Sequence, residues 1–187
     1  MESDATPGFL CRICGRRHVL PLSYSVKAPL AVASIPPNEI ASRVVITPEQ
    51  CVIDNRSFYL RGRIPVPIHG PTGILDQPFI WGVWAEISPK NFLRTQQLWK
   101  MPGRESEPPF PGFLNSEIAP YGQTLDLELT VHTQPVGRRP HFYLTDPIHP
   151  LAIEQRTGIT LPRVEEIAER LLHPQEISEA SASPTIL

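Results

Sequence analysis

At 187 residues, with 41% hydrophobic and 19% charged side chains, the chain can build one domain with a sizeable core and is too apolar for global disorder. A formal net charge of -2 lacks the basic excess of a general nucleic-acid or acidic-membrane binder. The 23 prolines are spread along the chain, which predicts many short elements and ordered loops rather than one proline-rich linker.

Residues 1–8 read as a flexible N-terminus, polar and without the apolar core of a signal peptide. Residues 9–24 form a Cys/His knuckle with an extended exit. A short helix is predicted over 36–42, started by Pro36 and Pro37. Val44-Val45-Ile46 and Cys51-Val52-Ile53 read as short strands, with Asp54-Asn55 as the turn that follows. Phe58, Leu60, Gly62, Ile64, Val66 and Ile68 then alternate with more polar residues, the period of a strand with one buried face. Phe79 to Ile87 is apolar on both faces and reads as a central strand. That window is far too short to span a bilayer, so a cytoplasmic protein is expected.

Ser88-Pro89 starts a predicted helix running to Leu98. Residues 101–120, rich in proline and glycine, read as loop. Leu125 to Val131 alternate as a half-buried strand, with Pro140–Leu144 as its hairpin partner. His149 precedes Pro150 as a helix cap, and Gly158 is placed to stop that helix. A last helix begins near Pro162, with Val164, Ile167, Ala168, Leu171 and Leu172 in one stripe. Residues 174–187 lack periodicity and read as a disordered tail, leaving 9–173 as a single domain. Strands bunched ahead of terminal helices predict an α+β fold. In it, an antiparallel sheet carries the C-terminal helices on one face, and the knuckle forms a zinc-knuckle-like turn at the N-terminus.

The clearest chemistry lies in Cys11-Arg-Ile-Cys14-Gly-Arg-Arg-His18. Two thiolates and an imidazole in eight residues can grip a soft metal ion, usually zinc. A structural zinc site takes four ligands, and Cys51, the only other thiol, is the first candidate for the fourth. Asp54 and the histidines at 69, 132, 141, 149 and 173 are the alternatives. Cys51 as a small buried hydrophobe is the competing reading. A catalytic zinc site would need a general base nearby, and the knuckle offers none.

The order of several short pieces resembles an uncharacterised bacterial family, domain of unknown function 2199. The pieces are Cys11-x-x-Cys14-Gly15-x-x-His18, Cys51-Val52-Ile53-Asp54, Phe58-Tyr59-Leu60-Arg61-Gly62 and Trp81-Gly82-Val83-Trp84. Tyr121, Gly137-Arg138-Arg139-Pro140 and His149-Pro150-Leu151-Ala152 continue the series, which runs from about residue 9 to about residue 170. The resemblance implies one family-wide domain in a bacterial protein and supplies no activity, substrate or catalytic residues.

Familiar catalytic signatures are missing: no nucleophile elbow, no His-Glu-x-x-His, no phosphate-cradling or dinucleotide loop. No catalytic residue is assigned, and the leading expectation is a non-enzymatic module with a structural zinc site that binds a protein partner. The second is a small enzyme or ligand binder using Arg61, Trp84, Arg139 and His149, since arginine and tryptophan suit an anionic or planar ligand. For each of these alone the plainer reading is a solvated arginine, a core tryptophan, a hairpin-end hydrogen bonder and a helix cap. A third, weak nucleic-acid binding through Arg12, Arg16 and Arg17, has the whole-chain charge against it.

Overall fold

The computed structural model describes residues 8–71 and 73–174, with the backbone alone for residues 73 and 74. The expected flexible ends, 1–8 and 174–187, lie outside the described residues apart from Gly8 and Pro174. Strands β1 (Gly8–Leu10) and β2 (Arg17–Val19) form an antiparallel hairpin whose loop is the Cys knuckle. After β3 (Ser23–Ser25), helix α1 (Ile40–Arg43) leads into β4 (Val44–Ile46) and β5 (Gln50–Ile53). Asp54 and Asn55 both take positive φ, 52° and 53°, which turns the chain tightly into β6 (Ser57–Val66). Pro67 has no N–H to continue the ladder, so β7 (Ile68–Gly70) leaves to pair with β8 (Gly73–Ile74) in a small second sheet.

Strand β9 (Phe79–Ile87) is followed by helix α2 (Pro89–Gln97), whose cap Ser88 Oγ accepts from Asn91 N–H. Then come β10 (Phe110–Leu114), β11 (Glu128–His132) and β12 (His141–Leu144). Helix α3 (Pro150–Thr157) is capped by His149, whose Nδ1 accepts from Leu151 N–H. Strand β13 (Ile159–Thr160) pairs with β7, and α4 (Leu161–Leu172) follows.

The expected α+β fold, helices laid on an open antiparallel sheet, is not the one that forms. Strands β6 and β9 pair antiparallel from Phe58↔Ile87 to Val66↔Phe79. Then β9 pairs with β10, β10 with β11 and β11 with β12, all antiparallel, and β12 returns to β6. These five strands close a barrel. A ring of five cannot alternate direction all the way round, so it must contain a parallel junction, and β12–β6 supplies it at His141↔Arg63. Outside the ring, β3 adds to β9 in parallel, and β5 and β4 extend the sheet beyond β6, so the sheet is mixed.

Strand β10 explains the difference. It lies inside 101–120, expected as loop, because Pro111 and Gly112 hide its alternation. Without it β9 and β11 have no link, and the remaining strands read equally well as an open sheet. Period two is the same in a flat sheet and in a barrel.

The two faces of β6 and β9 go to two cores. Leu60, Ile64, Val66, Phe79, Trp81 and Val83 join Leu114, Leu129, Val131 and Phe142 in the main core, with Leu151, Val164 and Ile167 of the helices. On the opposite face Tyr59 and Trp84 meet Cys51, Ile53 and Ile35. This second layer is why Phe79–Ile87 is apolar on both sides.

Candidate metal centre

The knuckle is a turn held by its own backbone. Cys11 N–H donates to Arg16 C=O at 2.9 Å, and Gly15 N–H donates to Cys11 C=O at 3.0 Å. Gly15 sits at φ +68°, a conformation that glycine adopts without the Cβ clash of other residues. The turn directs Cys14 Sγ to 3.1 Å from His18 Nε2. Cys11 is buried, in the main core with Phe9 and Leu20, and Cys14 is half-buried.

The fourth donor comes from the other end of the domain. Helix α4 buries Val164, Ile167 and Ala168, and Glu169, off that apolar stripe, is buried as well. Glu169 accepts from Arg12 N–H at 2.6 Å and from the Arg12 guanidinium at 2.8 and 3.0 Å. Those hydrogen bonds hold its carboxyl below the usual range. They dock the helix end on the knuckle, and His173, one turn further along, caps α4 by donating its N–H to Glu169 C=O. Its ring lies 6.0 Å from that of His18, edge to face. One ligand atom from each of Cys11, Cys14, His18 and His173 lies within 4.8 Å of the other three.

Such a group can hold a metal ion. With metal–sulfur bonds of about 2.3 Å and metal–nitrogen bonds of about 2.0–2.1 Å, a tetrahedron has edges of roughly 3.3–3.8 Å. The widest spread in the group exceeds that by about 1 Å, within the reach of side-chain rotation.

Cys51 stands apart from this group, and His173 takes the place considered for it. Cys51 is fully buried on β5 among Ile35, Ile53, Tyr59 and Trp84. Burial pushes its thiol up to about 11, so at neutral pH it is a protonated apolar filler. His173 lies 155 residues beyond His18, where no local spacing can flag it. The legible signal was the apolar stripe of the last helix ending just before a histidine.

Arg61, Trp84, Arg139 and His149 do not share a pocket. The Arg61 guanidinium lies 5.7 Å over the Trp84 ring and donates to the carbonyls of Val26 and Pro48. Arg139 is engaged by Glu49 through two hydrogen bonds of 2.7 and 2.8 Å. His149 caps α3, with Nε2 3.2 Å from Gln123 O. Arg139 borders two clefts, neither lined by the other three.

A family model described as an uncharacterised protein conserved in bacteria, DUF2199, matches residues 10–159. The chain belongs to this family. No curated protein and no solved structure matches it. The DUF2199 match takes in Cys11, Cys14 and His18 and ends before His173. Among the described residues of this DUF2199 protein, no helix is long and apolar enough to cross a membrane.

Proposed function

We propose that Cys11, Cys14, His18 and His173 hold a structural zinc ion, and that the stapled barrel is a cytoplasmic binding module for a protein partner rather than an enzyme. The observation that carries the metal half is the gathering of four ligand atoms, from both ends of the domain, within 4.8 Å. Two thiolates and two imidazoles favour zinc. Four protein ligands leave no position for a water or substrate, which favours a structural over a catalytic ion. Elemental analysis of protein purified without chelator tests it. Wild type and Cys51→Ala should each carry one zinc per chain, and His173→Ala should carry much less. Metal-free wild type, or zinc lost with Cys51 and kept without His173, overturns the assignment.

The partner half is favoured by a groove of about 860 Å³ between α2 and the segment before β10. There Leu93, 56% exposed, faces Pro108, Pro109 and Phe110. Wild type should capture a protein from bacterial lysate that Leu93→Asp does not. Recovery of nothing above background by wild type counts against a partner.

A further inference from the structure

The barrel's parallel seam carries a concentration of positive charge that its one neighbouring carboxylate, Glu49, only partly neutralises. Ser25, Gly82, Arg63 and His141 stand in one row across β3, β9, β6 and β12. Paired residues share a face, and here it is the outer one, since Arg63 is exposed. Gly82 brings no side chain to the row, and the Ser25 side chain occupies the space that a Cβ would take there. A hollow is left beside Arg63, a cleft of about 540 Å³ bordered by Ser23, Ser25, Ile80, Arg139 and His141. A second cleft of about 520 Å³ meets it at Arg63 and Arg139 and adds Lys100, Arg104 and Arg138.

That second cleft has five cationic side chains and one carboxylate, Glu49, which Arg139 already occupies. The guanidinium of Arg63 and the ammonium of Lys100 make no hydrogen bond or ion pair among the described residues. Arg104 is 6% exposed, and its guanidinium is satisfied by the carbonyls of Trp99, Gln134, Pro135 and Arg138. It is a buried charge without a counter-ion, and it fixes the loop from which Arg138 and Arg139 project. The four carbonyl dipoles stabilise this charge but no carboxylate neutralises it, so the cleft wall keeps a net positive charge. Neighbouring charge is already felt here: Arg139 repels Arg61, and Arg63 and Arg138 join burial in lowering the pKa of His141.

We propose that these two clefts form a binding site for a small phosphorylated molecule. Arg63, Arg139 and Lys100 meet its phosphate oxygens, and its organic part lies in the adjoining cleft between Ser25 and His141. Planar guanidinium forks match phosphate oxygens in pairs, and Glu49 pre-orients one of them. Two joined clefts of this size suit a small organic ligand. A patch confined to one seam of a chain with net charge -2 does not suit a long polyanion. The site shares no residue with the Cys/His group and does not depend on the metal.

Titration calorimetry of the full chain with pyrophosphate tests it. Wild type should bind one pyrophosphate per chain, and Arg63→Gln should weaken binding about tenfold, as should Lys100→Gln. Arg63 is exposed and unpaired, so its variant should melt with wild type. Arg17→Gln, on the knuckle, should bind as wild type does. No binding at millimolar pyrophosphate overturns the site, as does binding undiminished by both cleft variants. Tighter binding of a single-stranded oligonucleotide than of pyrophosphate, lost in Arg63→Gln, replaces the small phosphate with nucleic acid and overturns the proposal as stated.

Discussion

Gly62 faces the interior of the barrel, in the alternating row that the sequence assigns to the buried face of β6. The space that a Cβ would take there is filled by the ring of Phe142, which is fully buried on β12. The contact lies at the β12–β6 seam, where one registered pair joins the strands. Gly62→Ala must displace that ring within a close-packed core. It should cost about 1–3 kcal/mol of stability, read as a lower urea midpoint at unchanged slope. A midpoint equal to wild type would show that Phe142 moves aside freely. The period of β6 placed Gly62 on the right face, but the need for a missing side chain comes from a strand some 80 residues away, which no local pattern contains.

At the scale of elements, one polar clamp ties the helices to the loop before β11. Tyr121 Oη donates to Glu154 Oε2 of α3 at 2.6 Å, and Arg163 of α4 donates to Glu154 Oε1 at 2.9 Å. Arg163 also lies 5.7 Å from the Tyr121 ring centre. Burial, then the carboxylate, pushes the Tyr121 hydroxyl well above its usual pKa, so it stays a neutral donor. Tyr121→Phe keeps the ring and removes the donor to a charged acceptor. It should cost about 1–2 kcal/mol in thermal or urea unfolding, and no measurable loss would show that water replaces the phenol. Both helices were legible from their caps and stripes. Their joint grip on Tyr121 was not, because it spans three segments separated in sequence. Strand β10 was missed for a different reason: Pro111 and Gly112 are normally breakers, and here the barrel supplies the neighbours on both sides that make a strand of them.

For the whole molecule, the Cys/His group joins the first hairpin to the end of the last helix, enclosing nearly all the described chain. A metal bound only by the folded form stabilises it by mass action, about 2.7 kcal/mol at a hundredfold excess over Kd. For a domain of this size that corresponds to roughly 5–10 °C in melting temperature. A strong chelator should therefore lower the Tm of wild type by that amount and leave His173→Ala unmoved. Equal melting of wild type with and without chelator would mean that the ends are held by the Arg12–Glu169 contact and core packing alone.

Features that depend on neighbours along the chain were readable from the residues alone. The Cys11, Cys14 and His18 knuckle is one case, set by spacing and Gly15. The strand faces of β6 and β9, set by period two, and the capping of α2 and α3 by Ser88 and His149 are others. Tertiary structure alone decided the closure of five strands into a barrel, since alternation carries no curvature. It also decided that His173 rather than Cys51 stands by the knuckle. Which side chain completes a cluster depends on where α4 docks, and that follows from the packing of Val164, Ile167 and Ala168 in the main core together with Glu169 meeting Arg12. The gathering of Arg63, Arg139 and Lys100 is equally nonlocal: Arg63 lies on β6, Arg139 just ahead of β12 and Lys100 beyond α2, and only the closed fold brings these segments to one cleft.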